Sequence, residues 1–206
     1  MTAERIGVFG GTFDPPHLGH RCVARSAADQ FELSRVLWIP AARSPRKKRQ
    51  VGSRADLRLD MTKLCLADDK RFEISKIELD RGGISYMVDT LEQLNRLYLG
   101  ARLFLILGAD SFSSFDSWRD PERISELARI IVYPRSDFKN EDARTDGHLG
   151  NDRSGTVTTA QWMDMDKIDI SSSDIRSRIA DGQRVKDLLS GPVYEYIISN
   201  RLYQNS

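Results

Sequence analysis

Cysteine is almost missing from this chain: Cys22 and Cys65 are the only two in 206 residues, and no C-x-x-C pair occurs. A disulfide framework and a zinc cage are excluded on that count, and both thiols, set among apolar helical neighbours, are expected to be buried. Long hydrophobic runs are missing too. None approaches the ~20 residues that cross a bilayer, so no membrane partner is expected. Charge of one sign is not in excess either. The 31 Lys and Arg against 30 Asp and Glu leave +1, no global field draws the molecule to nucleic acid, and none is expected as a partner. The start, MTAERIGVFGG, lacks the basic opening and apolar core of a secretory signal, which makes the cytoplasm the expected location. Neither G-x-G-x-x-G nor the Gly-Lys-Ser/Thr of a P-loop occurs, so hydride transfer and P-loop chemistry fade as readings.

What is present is a repeated alternation of short apolar strands and amphipathic helices. A strand at 5–9, a helix at about 18–31 and a strand at 35–39 make a βαβ start. The next helix opens at Ser53 with Asp56 as a weak capping box, and Leu57, Met61 and Leu64 form its inner face. Residues 72–79 alternate as a strand, and Ser85 can cap a helix whose inner face is Val88, Leu91, Leu94 and Tyr98. The run 102–107 is nearly all apolar, as a strand buried on both faces should be; 130–132 reads as another, and 156–160 as the last. Polar residues dominate 134–155, which predicts a long surface loop. Helices follow from Ser171 and from Pro192. The fold class is therefore α/β, a doubly wound, Rossmann-like, mostly parallel sheet with helices on both faces. One domain over 1–206 is expected, with a small helical C-terminal portion at about 171–206. The pattern leaves homo-oligomerisation open.

Histidine is also scarce, with three residues in all, yet two fall three apart in GGTFDPPHLGH, where a strand gives way to a helix. Gly10 and Gly11 permit close backbone approach, and the helix N-terminus offers free N–H groups and a positive dipole end, so the loop is ready for phosphate. His17 and His20, at i and i+3, face the same way and can donate to phosphate oxygens, carrying part of the positive charge near neutral pH. Zinc is disfavoured, because H-x-x-H here lacks the glutamate of H-E-x-x-H and has no evident third ligand. Further along, ISSSDIR places Ser172 and Arg176 on one face of a helix start, a second polyphosphate grip. A dense basic run, 43–49, follows the second strand, where open α/β sheets place ligand loops.

GGTFDPPHLGH and ISSSDIR together resemble the signature pair of the nucleotidyltransferase α/β superfamily, with His17-Leu18-Gly19-His20 as its H-x-G-H element. The segments Leu107-Gly108-Ala109-Asp110-Ser111, Gly83-Ile84-Ser85-Tyr86 and the Trp118 of SFDSWRD narrow the resemblance, along essentially the whole chain, to the bacterial nicotinate-nucleotide adenylyltransferases. That resemblance implies transfer of AMP from ATP to nicotinate mononucleotide, giving deamido-NAD and pyrophosphate in NAD biosynthesis. It implies His17, His20 and Arg176 as catalytic residues. ATP would be held by Gly10, Gly11, Lys47, Gly108, Asp110, Ser172 and Ser173, with Mg2+ arriving on its phosphates and no protein metal site. Thr12, Phe13, Ser85, Tyr86, Met87, Trp118 and Arg119 would hold the mononucleotide, its ring stacked on Trp118. The chain departs from the family where Arg46 replaces a histidine and Met87 replaces a common threonine. The alternative is an adenylyl or cytidylyl transferase of the same fold acting on another phosphorylated acceptor, nicotinamide mononucleotide or phosphopantetheine.

Overall fold

Alternation along the strands decides which face each apolar side chain meets. In β1 (Arg5–Gly11), Ile6 and Val8 point to one face and Phe9 to the other; β4 (Arg102–Gly108) sends Leu103, Leu105 and Leu107 with the first set and Phe104 and Ile106 with the second. The computed structural model describes residues 3–45, 53–66, 69–135, 148–151 and 157–204, with backbone alone at 148–151 and 157–159. The remaining strands are β2 (Arg35–Pro40), β3 (Phe72–Ile74), β5 (Arg129–Tyr133), β6 (His148–Asn151) and β7 (Val157–Trp162). They form one sheet in the order β3-β2-β1-β4-β5-β7-β6, parallel throughout except for the antiparallel pairing of β6 with β7 at the edge. The α/β class expected from the alternation is the class observed.

Helices cover both faces, as strands apolar on both sides require. One face carries α1 (Leu18–Gln30), through Val23, Ala24, Ala27 and Ala28. The opposite face carries α3 (Ile77–Arg81), α4 (Met87–Leu97), α5 (Ala109–Phe112) and α6 (Pro121–Leu127), through residues such as Ile77, Leu91, Leu94, Phe112 and Ile124. A third apolar cluster joins α2 (Ala55–Cys65), α7 (Ser172–Ala180) and α8 (Gly191–Ser199), with Met61, Cys65, Ile175, Val193 and Ile197 at its centre. No helix among the described residues is long and apolar enough to cross a membrane.

Several local expectations are corrected. Only 72–74 of the expected strand at 72–79 pairs with β2, and the chain then leaves the sheet and turns into α3 at Ile77, so 77–79 are helical. Ser53 does not cap α2: Arg54 holds that position without a side-chain bond, while the Ser53 N–H is used by the Asp14 carboxylate. The buried face of α2 is Arg58, Met61, Thr62 and Cys65, leaving Leu57 and Leu64 half-buried. Ser85 does not cap α4 either, since Tyr86 is the N-cap and the Ser85 hydroxyl accepts from the Ala42 N–H at 3.0 Å. The stretch 134–155 contains β6, and its residues 136–147 and 152–155 lie outside the described residues, as do Arg46 and Lys47. Cys65 is buried as expected, but Cys22 is exposed on the outer side of α1.

Candidate active site

The order of the sheet fixes where a ligand can enter. Connections from β1 run outward to β2 and then return to β4 on its other side, so the carboxyl ends of β1 and β4 face a crevice that no crossover covers. Gly10 and Gly11 end β1 there, and Gly108 ends β4. A Cβ on Gly10 would lie 2.8 Å from Met87 Cε, so the flexible Met87 side chain at the start of α4 lies directly over the end of β1.

His17 is the N-cap of α1, and its Nδ1 accepts the His20 N–H at 3.3 Å; His20 Nδ1 in turn accepts the His17 N–H at 3.2 Å. This is a capping box built from two imidazoles, whose rings stack with centroids 3.6 Å apart. With both Nδ1 atoms acting as acceptors, the proton of each neutral ring sits on Nε2, which makes each Nε2–H a fixed donor. Burial is the main cause holding His17 down to about 3, aided by the positive charge of Arg135. His20, its ring set against Phe9, Phe13 and Trp38, is held well below its ordinary value by burial, then by His17 and Arg135. The expectation that these rings carry positive charge near pH 7 is therefore corrected: they are neutral donors.

The second motif docks directly on this loop. Ser172 Oγ donates to Pro15 O at 2.8 Å and Arg176 Nη1 to Asp14 O at 2.7 Å, the i, i+4 pair acting on one face as its spacing requires. Ser171 caps α7 by accepting the Asp174 N–H, which leaves the N–H groups of Ser172 and Ser173 at the open helix end. Gly19 completes the contact, since a Cβ there would stand 2.7 Å from Ile168 Cγ2. Asp110, exposed at the end of β4, lies 3.8 Å from Arg135 Nη1.

Beside the crevice lies a cavity of about 330 Å3. Its walls include Gly10, Gly11 and Thr12 from the first loop, Ser85, Tyr86 and Met87 at the start of α4, and Trp118 and Arg119. Trp118 packs on Phe115 with ring centroids 5.6 Å apart, and its buried Nε1 has no hydrogen-bond partner in the structure. The Arg119 guanidinium lies 4.8 Å over the Tyr86 ring and 3.5 Å from Asp89. Phe13 is placed differently from its expected partners: it is buried against Phe9 and Trp38 and does not line the cavity.

Four residues of this region escaped sequence reading. Glu78, in the cavity wall, accepts from Thr90 Oγ1 at 2.7 Å and bonds to Ser85, and burial pushes its carboxyl up. Arg135 acts electrostatically on both histidines; it lies two residues past the end of β5, after Pro134, a place at the carboxyl end of a strand that was its available signal. Arg58 is buried and donates to the carbonyls of Thr12, Ala41 and Ser53, and Asp14 is wholly enclosed. No group of three or more His, Cys, Asp or Glu is placed to hold a metal ion among the described residues.

A crevice at the sheet's switch point, lined by fixed N–H donors and a guanidinium, defines a nucleotide-handling α/β protein, and the family model described as cytidylyltransferase-like matches residues 8–178. A protein of Gemmatimonas aurantiaca described as a probable nicotinate-nucleotide adenylyltransferase is 37% identical over 205 residues, covering 97% of this chain and 92% of that one. A Thermus thermophilus protein of the same description is 37% identical over 200 residues, covering 97% and 100%. The chain belongs to the nicotinate-nucleotide adenylyltransferases, within the cytidylyltransferase-like family. Its fold is that of the Plasmodium falciparum nicotinic acid mononucleotide adenylyltransferase solved with NaAD, at a TM-score of 0.79, 17% identity and 97% coverage of both chains.

Proposed function

We propose that this protein transfers AMP from ATP to nicotinate mononucleotide, forming deamido-NAD and pyrophosphate, with ATP in the crevice between the two motifs and the mononucleotide in the adjoining cavity. The observation that carries the reading is the docking of α7 on the first loop. It brings the two imidazoles, the open end of α7 and Arg176 together at the carboxyl end of β1.

The acceptor attacks through a phosphate oxygen that is already ionised, so no general base is required. Catalysis reduces to aligning the attacking oxygen, the α-phosphorus and the leaving pyrophosphate, and to stabilising charge on the oxygens around them. His20 and His17 donate from Nε2–H to the α- and β-phosphate oxygens; Arg176 and the N–H groups of Ser172 and Ser173 hold the leaving pyrophosphate. Gly108 and Asp110 approach the adenosine, and Gly10 and Gly11 leave room for the phosphates. Lys47 is assigned to the phosphates from the sequence resemblance alone. On the acceptor side the pyridinium ring stacks on Trp118, and its carboxylate meets the free N–H groups at the start of α4. Thr12, Ser85, Tyr86 and Arg119 frame that ring, and Phe13 serves from the core by holding His20.

Donors dominate the phosphate side, so a cation entering with ATP would be held by phosphate oxygens and water rather than by a carboxylate cage. Mg2+ bound in this way neutralises part of the triphosphate charge. Pyrophosphate release from ATP, measured with nicotinate mononucleotide, nicotinamide mononucleotide and phosphopantetheine in turn, tests the reading. Preferred turnover of the first is expected, and its absence would overturn the assignment.

A further inference from the structure

Asp14 is fully enclosed, yet it belongs to none of the roles above. Both its carboxylate oxygens accept the Ser53 N–H at 3.2 Å, and Oδ1 also accepts the hydroxyl of Tyr203 at 2.7 Å, from a residue 189 positions away. Arg176 stands over the same residue, bonded to its carbonyl, with Nη1 4.0 Å from Oδ2. Arg58 is pinned nearby by four main-chain carbonyls, those of Thr12, Ala41, Ala42 and Ser53. One buried carboxylate thus faces two guanidiniums, which leaves one positive charge in excess beneath a loop read as holding triphosphate.

Tyr203 is delivered to this point by a specific chain path. After α8 the backbone turns through two residues of positive φ, Arg201 at 50° and Tyr203 at 64°, and Leu202 N–H bonds back to Ile197 O. Positive φ disfavours a side-chain-bearing residue, so packing has to hold this turn in place. The ring is half-buried in the cluster of α2, α7 and α8, with Oη 3.7 Å from Met61 Sδ.

We propose that Tyr203 is a positioning residue for the ATP site: its hydroxyl supplies a donor to Asp14 Oδ1 and so holds the Arg176 ion pair with that carboxylate at its long distance of 4.0 Å to Oδ2, short of a direct hydrogen bond. Arg176 then bonds the loop through one N–H at the Asp14 carbonyl and keeps its remaining donors for phosphate. Without the hydroxyl, a buried carboxylate short of one donor draws the nearest mobile cation, and Arg176 is that cation, because Arg58 is already fixed by Thr12, Ala41 and Ser53. The proposal rests on the reading of α7 as the pyrophosphate grip.

The test is Tyr203→Phe, which deletes one oxygen, with Mg-ATP affinity measured by calorimetry in the absence of acceptor and both KM values measured in turnover. Measurements are made at a temperature where circular dichroism shows each variant folded. About a tenfold weaker Kd and higher KM for ATP are expected, with the KM for nicotinate mononucleotide within about twofold of the parent, since one charge-assisted contact is at stake. Tyr196→Phe removes another hydroxyl that ties α8 to α2, through Asp60, and is expected to leave ATP affinity unchanged. A double-mutant cycle with Asp14→Asn adds a readout that a merely structural role would not move: in that background Tyr203→Phe should have little further effect on ATP. Unchanged ATP affinity in Tyr203→Phe, equal shifts in both KM values, additive effects in the cycle, or a Phe variant that folds at no temperature would each overturn the proposal. A parent protein that binds ATP but fails to turn over nicotinate mononucleotide would count against the proposed acceptor and leave this measurement intact.

Discussion

Replacing His20 by alanine removes two things at once: a fixed donor and half of the cap on α1. The lost donor should lower kcat about 100-fold or more, as losing one preorganised hydrogen bond to a developing charge does elsewhere. Loss of the cap should cost about 1 kcal/mol of stability, because the His17 N–H then has no acceptor. Steady-state pyrophosphate release and a urea melt read the two effects separately; a variant with near-parental kcat would remove His20 from the reaction. Trp118→Ala should raise the KM for the mononucleotide about tenfold and leave that for ATP unchanged, since ring stacking is worth about 1–3 kcal/mol. Equal KM values in parent and variant would refute the stack. Residue placement was legible in sequence where the motif itself carried the geometry, as with His17, His20 and the Ser172 and Arg176 pair. Asp14 was not legible, because nothing local reveals that residues 53, 176 and 203 converge on it.

Among the elements, α1 and the approach to α7 meet closely at Gly19. Gly19→Ala would set a methyl against Ile168 Cγ2 and His17 Nδ1, at 2.7 and 3.0 Å in the unrelaxed geometry. Alanine favours a helix over glycine by about 1 kcal/mol, but overpacking of this kind costs about 1–3 kcal/mol and pushes the two motifs apart. Lower stability and a higher KM for ATP are expected from denaturant midpoints and kinetics. A more stable variant with unchanged KM would show that the joint yields freely. Periodicity identified the strands of the central sheet because both faces are buried, so every position from Leu103 to Leu107 had to be apolar. It failed at 72–79, where apolar Ile77 and Leu79 fit a strand's alternation but belong to the short helix α3, which packs Ile77 on the sheet. The hydroxyl of Ser85 likewise had two possible uses, and the tertiary partner Ala42 took precedence over the helix.

Over the whole molecule, buried titratable groups set how stability answers to acid. In the unfolded chain histidine takes up a proton near pH 6.5, whereas folded His17 resists until about 3 and folded His20 until well below its ordinary value. The unfolded state therefore binds more protons between these limits, and stability falls as pH drops below about 6.5, by up to about 1.4 kcal/mol per pH unit for each ring. Glu78 acts in the opposite sense, since its raised carboxyl binds a proton in the folded state first. With two histidines against one glutamate, a net loss of Tm between pH 6.5 and 5 is expected, and replacing both histidines by asparagine should flatten it. A Tm independent of pH over that range would contradict the neutral, enclosed imidazoles.

The distance along the chain between the two grips, 162 positions from Asp14 to Arg176, has a consequence for the protein's birth. The histidine loop is synthesised early and the guanidinium late, so a ribosome-bound chain that has not yet made α7 lacks the partner that docks on Asp14 and Pro15. On the proposed reading, a chain cut short before α7 would lack the second set of phosphate donors and is expected to release no pyrophosphate from ATP.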